Sequence, residues 1–210
     1  MKIETAPKPR WKQLSHRRLQ TWPSDLTKNT LLESPLPTWL TEPVITRLLS
    51  YPVSNANEQD DIFKKSPHGA PNHVLINEYQ AGQGIMPHKD GAAYYPVVCT
   101  VSLGASLCLD IYATNEDATR ESEPRWKIFQ EPRSLLITTG DLYTEYLHGI
   151  AETTEDVNLN SSTVSNWDLL RSPDDIMGER SQRAARTSLT YRDVIKVSKL
   201  GGKFAMFGKR

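Results

Sequence analysis

The sequence predicts a mainly β (α+β) fold of the jelly-roll or sandwich kind. From His73 onward, six short runs rich in β-branched and aromatic residues are bounded by Gly, Pro or Asn, which is the signature of strands. Almost no helix-periodic segment separates them, so antiparallel pairing is favoured over a parallel α/β sheet. A length of 210 residues suits about one domain with one substantial core, residues 1–210 forming a single catalytic domain.

Residues 1–30 open the chain as a basic, aromatic arm. Up to Arg18 it carries Lys2, Lys8, Arg10, Lys12, Arg17 and Arg18 against Glu4 alone, with Trp11 and then Trp22 interleaved. Between Pro35 and Tyr51, the residues Leu36, Trp39, Leu40, Val44, Leu48 and Leu49 recur at helical spacing and predict one helix, disturbed in its first part by Pro43. After the polar stretch Ser54 to Pro71 come the six strands: His73 to Tyr79, Pro96 to Leu103, Leu107 to Tyr112, Trp126 to Gln130, Ser134 to Thr139 and Arg186 to Val194. These define a β core over 72–194. Ala113 to Arg125 and Glu152 to Ala184 are charged or rich in Ser, Asn, Asp and Glu. Both read as surface insertions, and 152–184 is long enough to be partly disordered.

The 25 Lys and Arg residues cancel the 25 Asp and Glu residues, so any preference for nucleic acid must be local rather than global. Cys99 and Cys108 fall in apolar runs, where a thiol acts as a small hydrophobe, and a chain with no cysteine framework suits a reducing compartment. No apolar run approaches the roughly 20 residues that cross a bilayer, and the start is polar and basic rather than signal-like. The expectation is a soluble, intracellular monomer of nucleus or cytoplasm.

The most informative stretch runs from Asn77 to Asp90. In an extended segment, side chains two apart share a face, so His88 and Asp90 on one short strand can grip a single cation. A third donor is His148, 60 residues after His88 and beyond the Gly140-Asp141 turn, where the sheet can return to the same end of a barrel. Two imidazoles and one carboxylate leave half an octahedron open, the arrangement of Fe(II) oxygenases. Taken alone, a His-x-Asp arises often by chance, and His148 alone is equally a loop histidine. His16, His68 and His73 lack a carboxylate two positions away and read as ordinary polar residues, with His68 and His73 as substitutes for the third ligand.

A keto acid on such an iron carries a distal carboxylate that must be buried, and a buried carboxylate calls for a bidentate guanidinium. Arg186 and Arg192 lie six positions apart on the last predicted strand, with Ser188 on the same face. Asn77 and Tyr79 stand two apart ahead of the iron strand. Each pair alone has a plain reading, as a solvated face or as inward strand residues. In order with His88, Asp90 and His148, they favour a co-substrate pocket.

The pattern Asn77-x-Tyr79, His88-x-Asp90, His148-Gly149 and Arg186 to Arg192 resembles the AlkB-type dioxygenases in order and spacing. The likeness is closer to the homologue-6 branch, carried by Ala6-Pro-Lys-Pro-Arg-Trp11, Arg17-Arg-Leu-Gln-Thr-Trp22, Asn72-His-Val-Leu-Ile-Asn-Glu-Tyr79, Gly84-Ile-Met-Pro-His88 and Tyr94-Tyr-Pro-Val. The resemblance covers nearly the whole chain apart from the two insertions. It implies a double-stranded β-helix, cupin-like, with N-terminal helical elements packed on the sheet. It further implies Fe(II) on His88, Asp90 and His148, 2-oxoglutarate on Asn77, Tyr79, Arg186, Ser188 and Arg192, and O2 as oxidant. Members of the branch carry a further segment before Ala6, so this chain reads as a shortened form lacking part of the layer that flanks the major sheet. Two departures matter: Ser188 stands where the bacterial repair enzyme has Asn, and Ala92 where that enzyme reads a methylated base with an acidic residue. The substrate therefore does not carry over.

The resemblance implies oxidative demethylation of alkylated RNA or DNA, releasing succinate, CO2 and formaldehyde. In support, Arg10, Trp11, Arg17 and Arg18 combine charge with stacking, as single strands and flipped bases require, making residues 1–30 a nucleotide-recognition lid; Tyr94 and Tyr95 offer further stacking over the pocket. Alternatively, Trp11 and Trp22 anchor the arm to the sheet. Two other functions stay open: the same chemistry on a protein side chain, and a nucleic-acid-binding module of weak activity.

Overall fold

The runs His73–Tyr79, Leu107–Tyr112, Trp126–Gln130 and Arg186–Val194 form strands with their predicted bounds in a computed structural model of the chain, which describes residues 3, 10–51, 61–115 and 117–199. Two others shift by a residue or two, to Tyr94–Gly104 and Leu135–Thr139. In chain order the elements begin with β1 (Lys12–Leu14), β2 (Arg17–Trp22), β3 (Thr30–Leu32), α1 (Thr38–Thr41), α2 (Val44–Leu49), β4 (His73–Tyr79) and β5 (Ile85–His88). Next come β6 (Tyr94–Gly104), β7 (Leu107–Tyr112), β8 (Trp126–Gln130), β9 (Leu135–Thr139), α3 (Asp141–Thr144) and β10 (Leu147–Ile150). The last are β11 (Glu155–Val157), β12 (Arg180–Gln182), β13 (Arg186–Val194) and β14 (Lys196–Ser198).

Two compact units emerge, one of Met1–Gln20, Leu75–Asp90 and Pro96–Thr190, the other of Thr21–Val74, Gly91–Tyr95 and Tyr191–Arg210. Most of the β core falls in the larger unit. The six-stranded sheet has the order β1-β2-β4-β13-β6-β9, and the four-stranded sheet the order β5-β10-β7-β8. Every second residue of β7 turns inward, so Leu107, Leu109 and Ile111 meet Tyr79 of β4 and Ile150 of β10 in one buried cluster. At about 25 cal/mol per Å² of apolar area, such clusters are the main driving term for the fold.

The other side of β7 and β8 is also covered, which corrects the reading of 152–184 as a disordered surface insertion. Leu159 and Val164 close over Cys108 and Phe129, with Trp167, Leu170 and Ile176 packed against them. The polar residues pair among themselves: β11 and β12 form a hairpin, and Arg183 grips Asp156 through two bonds of 2.8 and 2.6 Å. Asn166 lies along β8 as a substitute strand, its Oδ1 accepting from the Phe129 N–H and its Nδ2 donating to the Phe129 carbonyl, both at 2.9 Å.

In the smaller unit the predicted helix between Pro35 and Tyr51 is two short helices, α1 and α2. Pro43 has no N–H to give, which stops the first and starts the second. Trp22 packs edge-to-face on Trp39 with ring centroids 5.4 Å apart, so Trp22 takes the anchoring reading. The Tyr191 hydroxyl donates to the Leu40 carbonyl at 2.9 Å, and β14 runs parallel to β3. Buried Asp193 accepts from the His68 backbone and from Asn72 and pairs with the His68 ring at 2.5 Å, which gives that ring a carboxylate partner within the smaller unit. The first arm residues, apart from Ile3, and the beginning of the stretch Ser54 to Pro71, up to position 60, lie outside the described residues.

Candidate active site

Two glycines let β5 and β10 approach each other. A Cβ on Gly149 would come within 3.0 Å of Pro87, and one on Gly84 within 2.2 Å of the Ile150 carbonyl, so any other residue would push β5 from β10. At this spacing His88 of β5 stands directly opposite His148 of β10 in the antiparallel register, their ring centroids 4.5 Å apart. Nδ1 of His88 donates to the Met86 carbonyl at 2.9 Å, leaving Nε2 with its lone pair for a cation. Asp90 lies past the end of β5 rather than on it, because the strand stops at His88. Its Oδ2 is nevertheless 3.9 Å from His148 Nε2. Between the two, the Lys89 ammonium donates to the Thr144 carbonyl at 2.7 Å and ties this turn to the end of α3.

Among the described residues no three His, Cys, Asp or Glu side chains already stand at metal-binding spacing. The difference is small. Neighbouring donors on one octahedral cation, each about 2.1 Å from it, lie about 3 Å apart. The 3.9 Å between Asp90 and His148 is about 1 Å beyond that spacing, and the donor set of two imidazoles and one carboxylate fits Fe(II).

On β13, Arg186 is only 3% exposed. Its Nη2 donates to Ser102 Oγ at 2.8 Å and to Gln130 Oε1, and Ser102 itself donates to Gln130 at 2.9 Å. These acceptors are neutral, and Nε of Arg186 has no hydrogen-bond partner among the described residues. Burial pulls its pKa from 12.5 down to about 10, opposed by nearby Tyr79. A buried guanidinium without a carboxylate is suited to receive one from a ligand. Ser188 and Tyr79 are buried as well, so β13 is no solvated face. Ser102 and Gln130 escape sequence reasoning because neutral strand residues carry no motif.

The arm differs from expectation. Arg18 closes a two-pronged fork on Glu78, both bonds 2.8 Å, and lies 4.2 Å over Trp11; its charge is neutralised by the protein. Arg17 donates through Nε to Asn77 Oδ1 at 3.1 Å. Both sit on a hairpin, β1–β2, hidden from pattern reading by its charges. Arg10 and Trp11 are partly exposed. In the smaller unit, Arg192 is 8% exposed and its guanidinium covers the Tyr94 ring at 4.6 Å, so that ring is already stacked; Tyr95 is half-buried. His73, read as an ordinary polar residue, is 2% exposed beside Tyr94, and burial together with Arg192 lowers its pKa to about 4. His16 pairs at the surface with Glu152 at 3.2 Å.

Comparison with known proteins places the chain in a family. The chain belongs to the 2OG-Fe(II) oxygenase superfamily, whose family model matches residues 5–192; it is a 2-oxoglutarate-dependent dioxygenase, with Fe(II), 2-oxoglutarate and O2 as the family's cofactor and co-substrates. Within that superfamily it is of AlkB type, homologue-6 branch. It is 37% identical over 201 residues to the probable RNA/DNA demethylase ALKBH6 of Danio rerio, covering 93% of this chain and 78% of that one. It is also similar to the tRNA (carboxymethyluridine(34)-5-O)-methyltransferase alkbh8 of Xenopus tropicalis, 33% identical over 127 residues, which is 59% of this chain and 18% of the relative. Among solved structures, OsALKBH1 superposes with a TM-score of 0.50 at 17% identity over 87% of this chain and 84% of the other, a likeness of fold. The double-stranded β-helix and the AlkB likeness are therefore as the sequence implied. No helix among the described residues is long and apolar enough to cross a membrane.

Proposed function

We propose that the chain removes alkyl groups from RNA or DNA bases by oxidation, holding Fe(II) on His88, Asp90 and His148 and 2-oxoglutarate on Asn77, Tyr79, Arg186, Ser188 and Arg192. The observation that carries the co-substrate assignment is Arg186, buried with only neutral hydrogen-bond partners among the described residues. Nucleic acid as substrate is supported by the 37% identity to a probable RNA/DNA demethylase. In this reading the chain works as one catalytic domain and as a monomer in nucleus or cytoplasm, with residues 1–30 over the nucleotide.

When bound, the iron supplies the oxidation: 2-oxoglutarate and O2 give succinate, CO2 and one oxygen atom for a substrate C–H bond, and an N-hydroxymethyl product falls apart to formaldehyde and the free base. The protein's own part is positional. Met86 fixes the His88 tautomer, Lys89 steadies the turn that carries Asp90, and Ser102 with Gln130 aims Arg186.

The test is succinate and formaldehyde release with methylated RNA and DNA oligonucleotides, unmethylated controls and methylated peptides. Stimulation of both products by one class of alkylated oligonucleotide is the expected result. A protein side chain as substrate is the second reading, favoured by Arg18 being closed on Glu78 rather than open to phosphate. Equal release with and without every oligonucleotide, alongside stimulation by a peptide, would select it.

A further inference from the structure

We infer that Arg17 is a positioning residue for 2-oxoglutarate, acting through Asn77; this rests on the co-substrate reading above. An amide side chain presents an acceptor at one end and two donors at the other. Arg17 Nε donates to the acceptor end, Oδ1, at 3.1 Å. The donor end, Nδ2, is then the one left to serve an anion. Without Arg17 the amide is able to turn over and offer oxygen to a carboxylate, a repulsive contact in a buried place.

Two features make this more than a surface contact. Asn77 is buried in β4, two residues from Tyr79, so its orientation is set by protein groups rather than by water. The neighbouring arginine docks on the neighbouring residue, Arg18 on Glu78, so the hairpin is tied to β4 at two successive positions. The two contacts differ in charge. Arg18 meets a carboxylate and is cancelled, whereas Arg17 meets a neutral amide. Arg17 also lines a cavity of about 300 Å³ whose wall includes His16, Met86, Pro87, Tyr112 and Glu152. On this inference the hairpin serves the co-substrate site through the Arg17–Asn77 bond rather than only covering the substrate.

The experiment titrates 2-oxoglutarate into the full chain loaded with Mn(II), which allows binding without turnover. The variants are Arg17→Met, which keeps the stem, Arg17→Lys, Asn77→Ala and the Arg17→Met/Asn77→Ala double, each with a thermal melt. Arg17→Met should weaken binding about fivefold to tenfold, the scale of one hydrogen bond, with an unchanged Tm. Arg17→Lys should recover part of the loss, and the double variant should bind no more weakly than Asn77→Ala. In turnover, the KM for 2-oxoglutarate should rise in Arg17→Met while kcat is held. Parent-like binding by Arg17→Met, a loss that adds to that of Asn77→Ala, or a loss that follows a lowered Tm would each overturn the role of Arg17 while leaving the co-substrate site intact. Parent-like binding by Asn77→Ala itself would remove Asn77 from that site, and the inference with it.

Discussion

Replacing Arg186 by Met separates a ligand-binding arginine from a structural one, because the two roles predict opposite changes in the melting temperature. With its pKa pulled from 12.5 to about 10, the buried charge costs the folded state roughly 3 kcal/mol at neutral pH. The sign follows from proton counts. Between pH 10 and 12.5 the folded state binds fewer protons than the unfolded, so the cost fades as pH rises through that window and is fully present below it. Against it stand the two hydrogen bonds to Ser102 and Gln130, worth about 1 kcal/mol each. Met has a similar volume, and after the change Ser102 still donates to Gln130, so no new orphan appears. The ligand-free variant should therefore gain about 1 kcal/mol, a Tm higher by about 2 to 4 °C. Bound 2-oxoglutarate would instead bury a carboxylate with no partner, a loss of about 3 to 5 kcal/mol, or about two to nearly four orders of magnitude in affinity. Scanning fluorimetry and calorimetric titration on Mn(II)-loaded protein read both quantities. A Tm lower by about 6 °C or more with unchanged affinity would show that Arg186 serves the fold and not the co-substrate.

Gly149→Ala should lower metal affinity at least tenfold with the ligands intact, since its Cβ would press on Pro87 at 3.0 Å and part His88 from His148; Mn(II) binding followed by electron paramagnetic resonance decides it, and parent-like affinity would refute the close-approach account. His73 should make stability fall as pH drops from 6.5 toward 4, because the unfolded ring takes up a proton that the buried ring, with its pKa near 4, refuses. The loss reaches about 3 kcal/mol, and His73→Gln should flatten that part of the urea-midpoint profile; an equal slope in both proteins removes His73 as its source. Cys99, its thiol pushed up to about 12 by burial, should resist iodoacetamide at pH 8 until the chain unfolds; fast labelling of native protein, read by mass spectrometry, would contradict its burial.

Of the strands legible in the sequence, β4, β7, β8 and β13 keep their bounds to the residue. β7 is buried almost throughout and reads as a near-continuous apolar run, whereas β13 is equally buried but written in Arg, Thr, Ser and Tyr, and β8 begins exposed at Trp126. The strands β5 and β10, which carry the proposed iron ligands His88 and His148, are four residues each, too short for a period to show, and were visible only through those histidines. The hairpin β1–β2 was hidden for the opposite reason. Its arginines signal charge, and the sequence cannot say that Asn77 and Glu78, some 60 positions away, absorb it. The same gap explains Ser102 and Gln130, whose role exists only once β6 and β8 carry them to Arg186. The segment 152–184 misled through composition: its polar residues bond one another, while Leu159 and Val164 are few but fall on Cys108 and Phe129.

The amide of Asn166 has a further consequence. β8 ends its sheet, and an open sheet edge is a template on which a second copy of a chain can grow. By occupying the Phe129 N–H and carbonyl together, one side chain imitates the next strand without being one, and so terminates the ladder chemically. Cutting the chain back past Asn166 would bare the Phe129 N–H and carbonyl on the outer edge of β8, the groups on which another strand could dock.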